Sequence, residues 1–215
     1  MRVVSVNVGY PRPVVWQGRR IMTGIFKEPV AGRVAVRRLN LEGDGQADLS
    51  VHGGPDKAVY AYPSEHYPFW RNELELSDLP WGAFGENLTT EGLWEDEVHV
   101  GDRFRIGTAE AVVTQPRTPC FKLGIRFGRE DVIERFLESG RPGFYLRVLQ
   151  EGDVAAGDSM ERIHEEENRV TVVDLVRLYL ERHGTSDPDL LRRAVEAEGL
   201  AEGWRDHFRR RLAAL

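Results

Sequence analysis

The chain has 215 residues, 41% hydrophobic and 30% charged, with 29 Lys and Arg against 35 Asp and Glu for a formal net charge of −6. This is the composition of an ordinary globular protein large enough to bury a core, and its acidic balance excludes a general attraction to nucleic-acid backbones. A single cysteine excludes an internal disulfide, which fits a reducing cytoplasm, and no apolar run is long enough to span a bilayer.

In chain order, "MRVVSVNVGY" alternates like a strand and lacks the apolar block of a signal peptide. Strands are expected at 3–9, 32–41, 57–63, 96–107, 109–115 and 143–152, where short apolar alternations are broken by Gly, Pro and Asp. Two helices interrupt them: "SEHYPFWRNEL" (64–74), with Ser64 as its cap, and "GREDVIERFLESG" (128–140), closed by Gly140. Many short strands at close spacing predict a mainly β, barrel-like domain over 1–163 rather than a doubly wound α/β sheet. After the charged run "HEEENR" (164–169), read as a solvated linker, residues 170–215 predict a bundle of three short amphipathic helices. Thr171 and Asp174 form a capping pair for the first. Its apolar face is Val172, Leu175, Val176, Tyr179 and Leu180. Asp187, Pro188 and Gly199 punctuate the second helix, and Trp204, Phe208 and Leu212 stand in register on the third. "RDHFRRRL" reads as a solvated basic face.

Three stretches carry chemistry. "GDGQADLSVHGGPDKAVYAYP" (43–63) has glycines that permit close backbone approach, with His52 and Lys57 among them. A phosphate cradle and a structural glycine loop both fit it, whereas a P-loop and a dinucleotide fingerprint do not. "FGENLTTEG" places Asn87 where it forms a turn or bonds a ligand, and His66 reads as part of a helix surface. The scattered histidines argue against a zinc site. In "QPRTPCFKL" the lone Cys120 stands between Arg117 and Lys122. A lone cysteine can be a small buried hydrophobe; flanking cations instead favour a thiolate, with His52 the one candidate base if the thiol were a hydrolase nucleophile.

Taken in order, "TGIFKEPVAGRVAV", the glycine-rich segment, "FGENLT", "VHVGDRFRIG", "QPRTPCFKL" and "GFYLRVLQEGDVAAGD" resemble a MOSC domain, and the three-helix tail resembles its YiiM-type subgroup. That resemblance implies a β-barrel-like fold binding a molybdopterin-type molybdenum cofactor, with Cys120 as catalytic residue and protein ligand to the metal. Arg117, Lys122, Lys27 and Lys57 become candidates for the pterin phosphate, Gly53 and Gly54 for backbone donors, and Asn87 and His52 for the pterin or the substrate. The implied reaction is reduction of small N-hydroxylated compounds, hydroxylaminopurine-type base analogues among them, to amines. One cysteine cannot hold an iron–sulfur cluster, so electrons come from a separate reductase. The reading needs no nucleic-acid or membrane partner and leaves a homodimer open. Two other classes stay open: a cofactor carrier or sulfur-transfer module using Cys120 without turnover, and a non-catalytic interaction protein with an empty pocket.

Overall fold

The computed structural model describes residues 1–48, 53–181 and 187–214. In chain order the strands are β1 (Arg2–Val8), β2 (Arg12–Trp16), β3 (Arg19–Thr23), β4 (Glu28–Pro29), β5 (Val34–Val36), β6 (Val59–Pro63), β7 (Leu88–Glu91), β8 (Arg103–Ile106), β9 (Ala109–Pro116), β10 (Phe144–Gln150), β11 (Gly152–Val154) and β12 (Met160–His164). The helices are α1 (Tyr67–Glu73), α2 (Phe121–Phe127), α3 (Val132–Glu138), α4 (Val172–Leu180), α5 (Pro188–Glu196) and α6 (Glu202–Leu212). Eight strands form one sheet in the order β12-β8-β9-β10-β6-β7-β1-β4, antiparallel except where β6 meets β7. The fold is thus sheet-dominated and mixed.

The described strands do not close into a barrel. The ladder ends at β12 and β4, while an Arg2–Ser159 bridge and a Val3 N–H bond to the Asp158 carbonyl (2.9 Å) tie β1 to the turn before β12. Several elements also differ from the pattern reading. The segments at 32–41 and 96–107 form strands only over Val34–Val36 and Arg103–Ile106, with isolated bridges at Val36–Leu41 and His99–Thr171. The hairpin β2/β3 was not signalled, because its strands are largely exposed and lack a clean alternation. Ser64 does not cap: it opens a 3₁₀ turn that runs into α1, with no side-chain bond to the backbone. The helix expected over 128–140 is shorter, and Gly128 in left-handed conformation instead ends α2, which follows Cys120 directly.

The tail helices form as their caps predict. Thr171 Oγ1 accepts from Asp174 N–H (3.0 Å) and Asp174 answers to Thr171 N–H (3.1 Å); Asp187 caps α5 through Asp189 and Leu190 N–H groups. Their apolar sides do not make a separate core. Leu175, Leu178, Leu191 and Phe208 join Phe104, Val113 and Leu146 in one cluster. This explains why β9 is buried on both faces while β10 alternates: the tail covers the outer face of β9. Gly199 was read as a helix stop, but its requirement is close approach. A Cβ there would lie 2.5 Å from the Val113 carbonyl oxygen. The buried face of α4 is Val172, Leu175 and Leu178, leaving Tyr179 and Leu180 largely exposed. The linker is not simply solvated either: Glu166 is buried and its N–H bonds Asp102 (2.9 Å). A second, aromatic cluster of Tyr62, Tyr67, Trp70, Phe84 and Phe136 packs α1 and α3 together.

Candidate functional site

Five neighbouring strands explain why distant motifs meet. In the β9-β10-β6 run, Tyr145 pairs with Gln115 on one side and Tyr60 on the other. Arg117 therefore leaves the end of β9 beside both phenols, and its guanidinium carbon lies 5.1 Å from the Tyr60 ring centroid. On the far side of β6, Asn87 N–H donates to the Tyr60 carbonyl (2.8 Å), and the Asn87 carbonyl accepts from Asn7 on β1 (2.7 Å). The result is a cleft, partly open to solvent, where these elements meet.

Lys27, Gly53, Lys57, Asn87, Arg117, Cys120 and Lys122 all line this cleft. Gly54 lies in an adjoining groove that shares Gly53 and Lys57 with it. His52 falls outside the described residues. Gly53 and Gly54 both have positive φ (91° and 82°), a turn that side-chain-bearing residues resist. Four cations thus border the cleft, and among the described residues no carboxylate lines it.

The cations are not equivalent. Lys27 is buried and its ammonium is ion-paired to Asp44, which also accepts from Gly9 N–H (3.0 Å) and from Asn87 Nδ2 (2.9 Å). Burial pushes the Lys27 pKa below its ordinary value, with Asp44 and Glu86 pulling it back up. The Asn87 amide oxygen accepts from Tyr60 N–H (3.1 Å), so both ends of that side chain already hold the fold together. Arg117 contrasts with both. It is 7% exposed, sandwiched 5.1 Å from the Tyr60 and Phe136 rings, and its buried Nη1 has no hydrogen-bond partner. A buried guanidinium nitrogen without an acceptor is costly unless something else supplies one. Cys120, three residues on, is half-buried at the residue preceding α2, and Lys122 is buried within that helix.

Nearby groups with shifted protonation belong mostly to the frame. Glu86 is fully buried and accepts from Gly82 N–H (2.8 Å), Thr89 Oγ1 (2.9 Å) and the Tyr67 hydroxyl; desolvation raises its pKa. His66 was read as a surface residue, but it is buried and bonds Glu95 (2.8 Å), because the turn before α1 faces the sheet. Tyr60, Tyr145 and Thr118 line the cleft and were not singled out from sequence. Every residue of β6 is buried, so no alternation marked Tyr60 as facing a cavity. Desolvation raises the pKa of Tyr145, which keeps its phenol proton at neutral pH. Among the described residues no group of three or more His, Cys, Asp and Glu is placed to hold a metal, and no helix is long and apolar enough to cross a membrane.

Comparison with known proteins gives the same outline. The MOSC domain family matches residues 48–161, and the YiiM-like 3-alpha helix domain matches residues 170–215. YflK of Bacillus subtilis is 43% identical over 96% of this chain and 92% of its own length; YiiM of Escherichia coli is 39% identical over 89% and 85%. The crystal structure of YiiM from Geobacillus stearothermophilus superposes with a TM-score of 0.81 at 34% identity, covering 98% of each chain. A protein of Gibberella moniliformis named "Reductase" is 34% identical over 77% of this chain, a match that takes in 30% of that longer protein. The cleft, the lone thiol and the helical tail therefore belong to a member of the MOSC family that carries a YiiM-like three-helix domain.

Proposed function

We propose that the cleft holds a molybdopterin-type molybdenum cofactor and that the protein reduces N-hydroxylated compounds to amines, with electrons delivered by a separate reductase. The observation that carries this reading is Arg117: a buried cation with an unsatisfied Nη1, in a wall without a described carboxylate, three residues from the only thiol. The residues fit such a group. The sulfur of Cys120 is a soft donor of the kind that suits molybdenum. Arg117, Lys122 and Lys57 border the space where a phosphate or dithiolene charge would sit, and the turn at Gly53 offers backbone donors.

When bound, the cofactor supplies the two-electron couple and the oxygen-accepting centre that cleavage of an N–O bond needs. The overall change consumes two electrons and two protons: R–NHOH becomes R–NH₂ and water. This chain's residues hold and orient. Cys120 offers one sulfur ligand, Arg117 offsets negative charge, and Tyr145 keeps a phenol proton at the cleft wall that it can donate as a hydrogen bond to departing oxygen. Lys27, Asp44 and Asn87 keep the opposite wall in place.

The test is to make the full chain in a cofactor-competent host, measure molybdenum and pterin, and assay reduction of 6-N-hydroxylaminopurine with an artificial electron donor. The expected result is stoichiometric metal with turnover. Metal without turnover would support the carrier reading instead, and protein that never takes up metal would overturn both.

A further inference from the structure

Among the described residues the cleft itself is lined only by the MOSC portion, but it shares lining residues with neighbouring hollows that the tail also lines. Beyond the bend at Thr118, which lies two residues before Cys120, two more hollows open. One, a shallow hollow open to solvent, is walled by Pro119, Phe136, Val176, Leu180, Tyr179 and Trp204. The other is the groove that shares Gly53 and Lys57 with the cleft, and Tyr179 and Trp204 line it too. Thr118 borders all three spaces, and Arg117 stands between the cleft and the apolar hollow.

The dividing element is an aromatic pair from the helical tail. Tyr179 on α4 packs against Trp204 of α6 at 5.1 Å between centroids with the rings tilted by 40°, and Trp204 is braced at 5.7 Å by the fully buried Phe208. Tyr179 is nevertheless 46% exposed, so a braced aromatic surface faces open space next to the cleft. The two regions differ in charge: the cleft gathers four cations, whereas the hollow beyond Arg117 is lined, apart from Arg117 itself and Arg141, mostly by apolar and aromatic side chains. A negatively charged cofactor belongs with the cations. A neutral ring carrying a hydroxylamino group is a flat plate, and flat neutral rings gain most from aromatic faces.

Resting on the reduction proposed above, we infer that Tyr179 and Trp204 select the substrate: they bind the ring of a planar N-hydroxylated heteroaromatic compound and so present its N–O group toward the Cys120 end of the cleft. The three-helix tail is then part of the substrate site.

Two measurements on the full chain test this. In cofactor-free protein, 6-N-hydroxylaminopurine should quench tryptophan fluorescence; Tyr179→Ala should raise the dissociation constant about tenfold, and Trp204→Phe should remove most of the quenching. In loaded protein, the ratio of kcat/KM for 6-N-hydroxylaminopurine to that for hydroxylamine, which has no ring, should fall about tenfold in Tyr179→Ala, through KM. Tyr179 is exposed, so its truncation leaves the fold intact, and thermal unfolding verifies this. The inference is overturned if purine quenching is unchanged in both variants, or if the two substrates lose activity in equal proportion, as docking of the electron donor on this face would produce. If loaded wild type reduces neither compound, the proposed reaction fails, and the fluorescence measurement still decides whether the tail binds the ring.

Discussion

The two walls of the cleft use the same residue types for opposite ends. On one wall Lys27, Asp44 and Asn87 satisfy one another: the ammonium meets a carboxylate, and the amide bonds Asp44 and the Tyr60 backbone. On the other wall Arg117 has two aromatic rings 5.1 Å away but no acceptor for Nη1, and Cys120 and Lys122 line the same cleft. A cation in a motif therefore says little alone. Whether its charge is matched inside the protein decides between holding the fold and holding a ligand.

Four variants bear on this contrast. The largest effect is expected at Cys120. Cys120→Ser should abolish turnover and metal retention while leaving the free energy of urea unfolding within about 1 kcal/mol of wild type, since a hydroxyl of similar size stays protonated and is a poor ligand for a soft metal. Full turnover at equal metal content would refute a thiolate ligand. On the opposite wall, Asp44→Ala strands the buried Lys27 ammonium and should cost about 3–5 kcal/mol in equilibrium unfolding. If it instead left stability untouched and only weakened cofactor binding, the distinction between the walls would collapse.

Arg117→Ala should weaken cofactor retention about tenfold to a hundredfold, the loss of one charge-assisted contact worth about 1.5–3 kcal/mol, read as molybdenum remaining after gel filtration. The comparison sharpens if this variant loses less stability than Asp44→Ala. The smallest effect concerns Glu86, whose folded pKa is raised above the ordinary 4.5 by desolvation. Its protonated form contributes stability in full below the unfolded value, and that contribution is lost as pH rises through the folded value. Glu86→Gln gives up acceptors for its donors at every pH, but its stability relative to wild type should improve as pH rises from about 4.5, by at most about 1.4 kcal/mol per pH unit. A difference that does not move with pH would mean that Glu86 is already ionised in the fold.

Much of the site was legible in local sequence. Cys120 between Arg117 and Lys122, Gly53 before Lys57 and Asn87 after Gly85 all stand at the same cleft, with Gly54 in the adjoining groove. What could not be read was how each charge is answered. Asp44 lies seventeen positions from Lys27 and forty-three from Asn87, and no periodicity links them. His66 looked solvent-facing because helical spacing does not reveal that Glu95 approaches from another segment. The basic run at the C-terminus was read as solvated, yet Arg205 donates to the carbonyls of Ala197 and Leu200 (2.8 and 3.1 Å) and Arg211 to that of Leu178.

By itself the sequence determined what depends on neighbours along the chain: the Thr171–Asp174 capping box, the Asp187–Pro188 start of α5, the helices of the tail and the chemistry clustered around Cys120. These follow from short-range hydrogen bonding, fixed backbone dihedrals and residue type. Only the tertiary structure decided that the sheet stays open, that the tail shares the core of the sheet, and that Tyr179 and Trp204 line hollows adjoining the cleft. Strand order, burial and charge pairing arise between residues far apart in the chain, where the energy lies in contacts that no local pattern encodes.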